Sequence, residues 1–249
     1  MINSGFMKKI IIFYLFLLSP FILRCANRDT LQTNYLKLEL VIPSVLIAYG
    51  VFEEFIEKNK LENKFFFHEV NEHFSSKTIL DDYLQYTPSL MTLGANLFGI
   101  KGVSTFKKKL VLQSISALST LVVVNTLKYT TKIMRPDNSS KNSFPSGHTA
   151  TAFMGAEFAR LEYWDKSKLM VFTTYGFAFT TGLLRIYNNK HWLSDVCAGA
   201  GIGILCTQFS YYLYPKIMEL FNKNQMNTNI SMAPFHTNFM SGVNFKIIF

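Results

Sequence analysis

At 249 residues, with 49% hydrophobic and 15% aromatic content, the chain can bury a sizeable single core, and no Gly/Pro-rich linker divides it. The formal charge of +9 suits anionic lipid headgroups or phosphorylated substrates. Nucleic acid is excluded as a partner, because no basic and aromatic surface pattern accompanies the charge.

The chain opens with Lys8 and Lys9 followed by an apolar run from Ile10 to Leu23, the pattern of a signal peptide or an uncleaved first span, so 1–25 is set apart. Arg24 before Cys25 makes a poor lipoprotein cleavage site. A second apolar stretch, 38–52, is interrupted by Pro43 and is expected to lie on or dip into the outer leaflet, within an extracytoplasmic or interfacial helical segment 26–87. His68 and His73 in that segment look like the H-E-x-x-H zinc pattern, but they are five apart and point roughly 140° away from each other on a helix, so no metal site is assigned. Further apolar stretches follow at 88–100, 110–127, 148–161, 169–186 and 196–214. Four of the seven approach the roughly 17–25 residues that a membrane span needs, although 148–161 carries Glu157. The segments 110–127, 169–186 and 196–214 hold too few polar residues to give a bundle a wet face. The expected fold is therefore all-α, a membrane-embedded helical bundle, with its core over 88–215.

Gly199, Gly201 and Gly203 lie in an apolar helical segment without a preceding strand, which argues for close helix packing rather than a dinucleotide loop. Cys197 and Cys206 fall on the same helix roughly 13 Å apart, too far for a disulfide. The tail, 216–249, is Asn-rich and aperiodic from 222 onward and is assigned no element.

Three motifs occur in order within the 68 residues from Lys128 to Asp195. They are Lys128 with Arg135-Pro136, then Pro145-Ser146-Gly147-His148, then Arg185 with His191 and Asp195. Phosphate needs positive charge, donors on several sides, an in-line nucleophile and an acid for the leaving oxygen. Lys128, Arg135 and Arg185 supply the charge, Arg as a planar fork and Lys as a point. Ser146 and Gly147 open an apolar helical stretch whose first N–H groups form an anion site. His191 and Asp195 share a helix face, so the carboxylate can hold one ring nitrogen and leave the other to attack phosphorus. His148, the other histidine of the motif region, is the candidate general acid. Taken singly, Asp195 reads as a helix N-cap and Arg135 as a helix end; three motifs converging on one ligand outweigh those readings.

The motif set resembles the type 2 phosphatidic acid phosphatase superfamily, which also contains vanadium haloperoxidases and class A acid phosphatases. The resemblance implies a phosphohistidine on His191, oriented by Asp195, with His148 protonating the leaving alcohol and Lys128, Arg135, Ser146, Gly147 and Arg185 as the cradle. It implies no metal and no cofactor. Where the third motif usually reads Ser-Arg, this chain has Leu184-Arg185, which loses one hydroxyl. The segments Phe144–Glu162 and Leu184–Ile204 are similar to the lipid A phosphatases of this family. The expected partner is a phosphorylated membrane lipid, with undecaprenyl diphosphate or phosphatidylglycerophosphate as alternatives to lipid A and vanadium-dependent halide oxidation as a remote one.

Charge predicts sidedness. The connections 101–109, 160–168 and 215–223 carry Lys101, Lys107, Lys108, Lys109, Arg160, Lys166, Lys168, Lys216 and Lys223, against Lys132, Lys141 and Lys190 as noncatalytic positives between the motifs. The positive-inside rule places the motif face in the periplasm, with the protein in a bacterial inner membrane. Of the two stretches 7–23 and 38–52, one alone can then cross, and the leader is expected to cross or be removed.

Overall fold

The computed structural model describes residues 32–56, 78–225, 229–237 and 240–248. The leader, Cys25 and the His68–His73 segment lie outside the described residues. The chain divides into two units, Met1–Gln208 and Phe209–Phe249.

The first unit is the expected helical bundle. Its elements are α1 (Gln32–Val51, continued by a π turn over Phe52–Ile56), α2 (Leu80–Leu84), α3 (Thr87–Gly94, continued by a 3₁₀ turn over Ala95–Phe98), α4 (Phe106–Thr131), α5 (Gly147–Tyr163) and α6 (Lys168–Tyr187). The last helix, α7, runs from Leu193 to Gln225. Thr105 caps α4 by accepting from the Lys108 N–H at 3.4 Å, and Ser167 caps α6 by accepting from the Met170 N–H at 3.3 Å. Lys132, at φ 51°, stops α4 in the left-handed conformation. Among the described residues, Phe106–Thr131, Lys168–Tyr187 and Leu193–Phe221 are helices long and apolar enough to cross a membrane. The outward face of α4 is lined by exposed Leu118, Leu121 and Val122, as lipid contact requires.

At the centre stands α5, whose side chains are buried almost throughout. Glycines set its distance from α7. A Cβ at Gly199 would fall 2.5 Å from the Ser146 carbonyl oxygen, and one at Gly203 2.2 Å from that of Ala150. One turn further on, Thr207 donates to the Met154 carbonyl at 3.0 Å. These three contacts advance together by four residues, so α5 and α7 run parallel and both begin at the same end of the bundle. Gly201 faces a different neighbour, with the Pro43 carbonyl oxygen 2.6 Å from where its Cβ would sit.

That contact bears on the reading of Pro43 as an interruption of 38–52. Pro43 does not break the segment; it lies inside α1. The helix packs lengthwise and antiparallel on α7, from Glu39, whose carbonyl accepts from Gln208 Nε2, to Gly50, packed on Ser194 and Ala198. A proline removes one N–H and is tolerated where its neighbours fill the space beside it, here the groove at Gly201.

Two groups of buried polar residues also join the helices away from the motifs. Glu157 accepts from Arg160 Nε at 2.7 Å, from Tyr175 Oη at 2.6 Å and from Gln208 Nε2 at 2.9 Å, and Arg160 also reaches Glu39 at 3.1 Å. The glutamate that interrupts the apolar pattern of 148–161 is thus buried and paired, as an ionisable group inside a bundle must be. Lys109, also buried, donates to Asn96 Oδ1 at 3.1 Å and to the Tyr163 hydroxyl, which itself donates to the Thr92 carbonyl at 2.7 Å. The second unit contains a two-stranded antiparallel hairpin, β1 (Asn229–Thr237) with β2 (Met240–Ile248), an element that the tail's aperiodic sequence did not predict.

Candidate active site

The site forms where α5 and α7 begin and α4 and α6 end. Four hydrogen bonds tie its loops together. Lys190 donates to Asp137 at 2.7 Å, and the Asp137 N–H donates to the Asn189 carbonyl, joining the first-motif loop to the third-motif turn. Burial works against the Asp137 carboxylate, but the bonds from Lys190 and Ser139 hold it well below the usual carboxylate range. Trp192 Nε1 donates to the Met134 carbonyl at 3.0 Å between the same two segments. The Ser146 N–H donates to the Asp195 carbonyl at 3.0 Å, fixing the second motif to the third.

Asp195 is buried in the first turn of α7. Its Oδ2 accepts from Ser143 Oγ at 2.5 Å and from the Trp192 N–H at 2.8 Å, and lies 3.4 Å from His191 Nδ1. The carboxylate is thereby fixed from two sides, with its oxygen turned toward the ring and His191 Nε2 left free. His191 Nδ1 makes no hydrogen bond in this state, so the contact with Asp195 is loose. The ring is buried and pushed well below the usual histidine range, first by burial and then by the charges of Lys128, Arg185 and Arg135 and by the His148 ring. Residues of all three motifs thus surround one imidazole.

The other motif residues are each held in place. Lys128, near the end of α4, donates to the Asn142 carbonyl at 2.5 Å. Ser146 is fully buried at the N-cap of α5, its hydroxyl 2.9 Å from Thr149 Oγ1 and not capping the helix, so that the first N–H groups of α5 have no side-chain cap. A Cβ at Gly147 would meet Val124 at 3.6 Å and Lys128 Cε at 3.9 Å, which sets this turn beside the lysine. Arg185 is buried at the end of α6, and its Nε, like that of Arg135, is enclosed without an acceptor. Two buried guanidinium donors left open are what an anion-binding site presents before its ligand arrives.

The motifs missed several residues. Ser143, just ahead of the second motif, orients Asp195. Asp81 Oδ2 lies 2.6 Å from Arg185 Nη1, Asp82 Oδ1 lies 2.8 Å from His148 Nε2, and Asn188 donates to Asp81 at 3.0 Å. Ser194 donates to Glu54 at 3.1 Å, tying α1 to the base of the site. Asp81 and Glu54 are separated in sequence from their partners by more than a hundred residues, and no spacing rule reaches that far.

The family model of the PAP2 superfamily matches residues 109–219, which contain all three motifs. This segment belongs to the PAP2 superfamily. Over 140 residues, 56% of its length, the chain is 40% identical to a lipid A 1-phosphatase of Porphyromonas gingivalis, and the match spans about a third, 32%, of that curated relative's length. Among solved structures it is similar to LpxE of Aquifex aeolicus, at 28% identity over 60% of this chain and 94% of that one with a TM-score of 0.46. It is also similar to a transmembrane PAP2-type phosphatidylglycerolphosphate phosphatase from Bacillus subtilis, at 20% identity over 84% and 96% with a TM-score of 0.42. Within the PAP2 segment the described residues hold no group of three His, Cys, Asp or Glu side chains able to bind a metal ion. Cys197 and Cys206 are buried free thiols there.

Proposed function

We propose that this chain is a membrane lipid phosphatase that hydrolyses a phosphate ester through a phosphohistidine, acting on lipid A at the periplasmic face of an inner membrane. The observation that carries this reading is the buried His191 ring, with Nδ1 toward Asp195 and the charges of Lys128, Arg135 and Arg185 around it. In the first step His191 Nε2 attacks phosphorus, the ester P–O bond breaks, and His148 gives its proton to the departing oxygen. In the second, water attacks the phosphohistidine, His148 takes the proton, and phosphate leaves. The guanidinium and lysine donors, with the N–H groups that open α5, stabilise charge on the equatorial oxygens.

Lipid A as substrate is supported by the 40% identity to a protein named for that activity. Sidedness is supported by the exposed Lys101, Lys107, Lys166 and Lys168, which lie at the bundle end opposite the site. The test uses purified full-length protein on lipid A and on an activated aryl phosphate. His191→Ala abolishes phosphate release from both, by at least about a thousandfold. His148→Ala slows lipid A far more than the aryl ester, whose leaving group needs no proton. Orthovanadate inhibits and EDTA does not. Equal losses on both substrates for His148→Ala would remove it as the acid, and release of phosphate from undecaprenyl diphosphate but not from lipid A would move the substrate to the carrier lipid.

A further inference from the structure

Two carboxylates enter the site from α2, outside the motifs, and they differ in kind. The Asp81 side chain is 2% exposed and is fixed between Arg185 and Asn188, so it holds the arginine in place. The Asp82 side chain is 57% exposed, stands 3.8 Å from Arg185 Nη1, and touches His148 Nε2 at 2.8 Å. In the proposed reaction that histidine delivers a proton to the departing oxygen. A group at its ring nitrogen therefore borders the path of the leaving group, not the phosphate being transferred.

Charge decides which leaving groups this neighbour tolerates. A phosphomonoester departs as a neutral alcohol once protonated. A diphosphate departs as a phosphate, which keeps negative charge at neutral pH. A carboxylate repels the second, and it accepts a hydrogen bond from a hydroxyl or amide N–H of the first. We infer that Asp82 is a specificity residue that favours monoesters of uncharged, hydroxyl- or amide-bearing alcohols, the chemistry of a glycolipid sugar, over lipid diphosphates. The inference rests on the assignment of His148 as leaving-group acid, and it separates two substrate classes that share the same cradle.

The experiment compares kcat/KM on lipid A and on undecaprenyl diphosphate for the full-length protein and for Asp82→Asn, which keeps shape and hydrogen bonding but removes the charge. The parent prefers the monoester. Asp82→Asn loses some monoester turnover, because His148 loses its charged neighbour, yet gains on the diphosphate, and the ratio of the two shifts by about tenfold or more. Asp82→Glu restores the parent's preference. Should Asp82→Asn fail to fold by thermal unfolding, Asp82→Ser carries the same comparison. A parent that prefers the diphosphate, or a ratio unchanged by charge removal, overturns the proposal while leaving the phosphatase reading intact. Absence of phosphate release from either lipid and from the aryl ester removes both.

Discussion

His191 sits among three cations, and its pH behaviour follows from them. The ring is held neutral well below the usual histidine range, first by burial and next by the Lys128 charge. The unprotonated ring is the nucleophile, so the acid limb of kcat/KM falls below about pH 6.5, the ordinary histidine value. Lys128→Gln removes a charge that opposes protonation, which raises the His191 pKa and moves the limb to higher pH. Both proteins are profiled on one substrate so that its own ionisation cancels, and an unmoved limb would mean that Lys128 does not act on the ring. All eight residues named from the motifs gather at this end of the bundle, because the spacing within each motif is local: a turn ahead of α5, one loop after α4, and a turn into α7, where His191 precedes the helix instead of sharing a helix face with Asp195. Ser143 was within reach of the same reasoning, three residues before Ser146, but a serine carries no pattern of its own. Asp81 and Asp82 were not within reach, since nothing in an acidic pair at the start of a short helix tells that it will meet an arginine 104 residues away.

Helix packing explains why the motifs meet. Gly199 and Gly203 let α7 lie parallel to α5 with backbone against backbone, and this close approach aligns Ser146 with the turn that holds Asp195. Gly203→Ala puts a methyl group against the Ala150 carbonyl and destabilises the protein by roughly 1–3 kcal/mol. Gly176→Ala, where an added Cβ meets nothing within 4 Å, is neutral or stabilising through helix propensity alone. Thermal unfolding of the two variants in detergent distinguishes them, and equal melting temperatures would show that the α5–α7 contact is looser than described. The helical class and the packing role of these glycines were legible from apolar runs and small residues. The path of α1 was not, because Pro43 reads as a break in sequence and its groove at Gly201 exists only once α7 is folded. Likewise Glu157 reads as an obstacle to burial until Arg160, Tyr175 and Gln208 surround it.

On the scale of the whole bundle, the described helices alternate in direction. From the far end, α1 rises to the site; α2 and α3 descend from Asp81, beside Arg185, to Thr92, beside Tyr163; then α4, α5, α6 and α7 alternate. A periplasm-active reporter inserted within 137–143 is therefore expected to work and one fused after Lys216 to fail, and the reverse pattern would turn the site toward the cytoplasm. The shared starting end of α5 and α7 carries one more implication. Each helix start holds roughly half a positive elementary charge from its aligned peptide dipoles; at α7 the Asp195 carboxylate lies in the first turn against that charge, whereas α5 has no side-chain cap and so keeps a source of attraction that no proton can discharge and no single side-chain replacement can delete. Variants stripped of one cradle cation should therefore still concentrate inorganic phosphate at this spot, weakly and without turnover, leaving binding to the backbone and catalysis to the side chains.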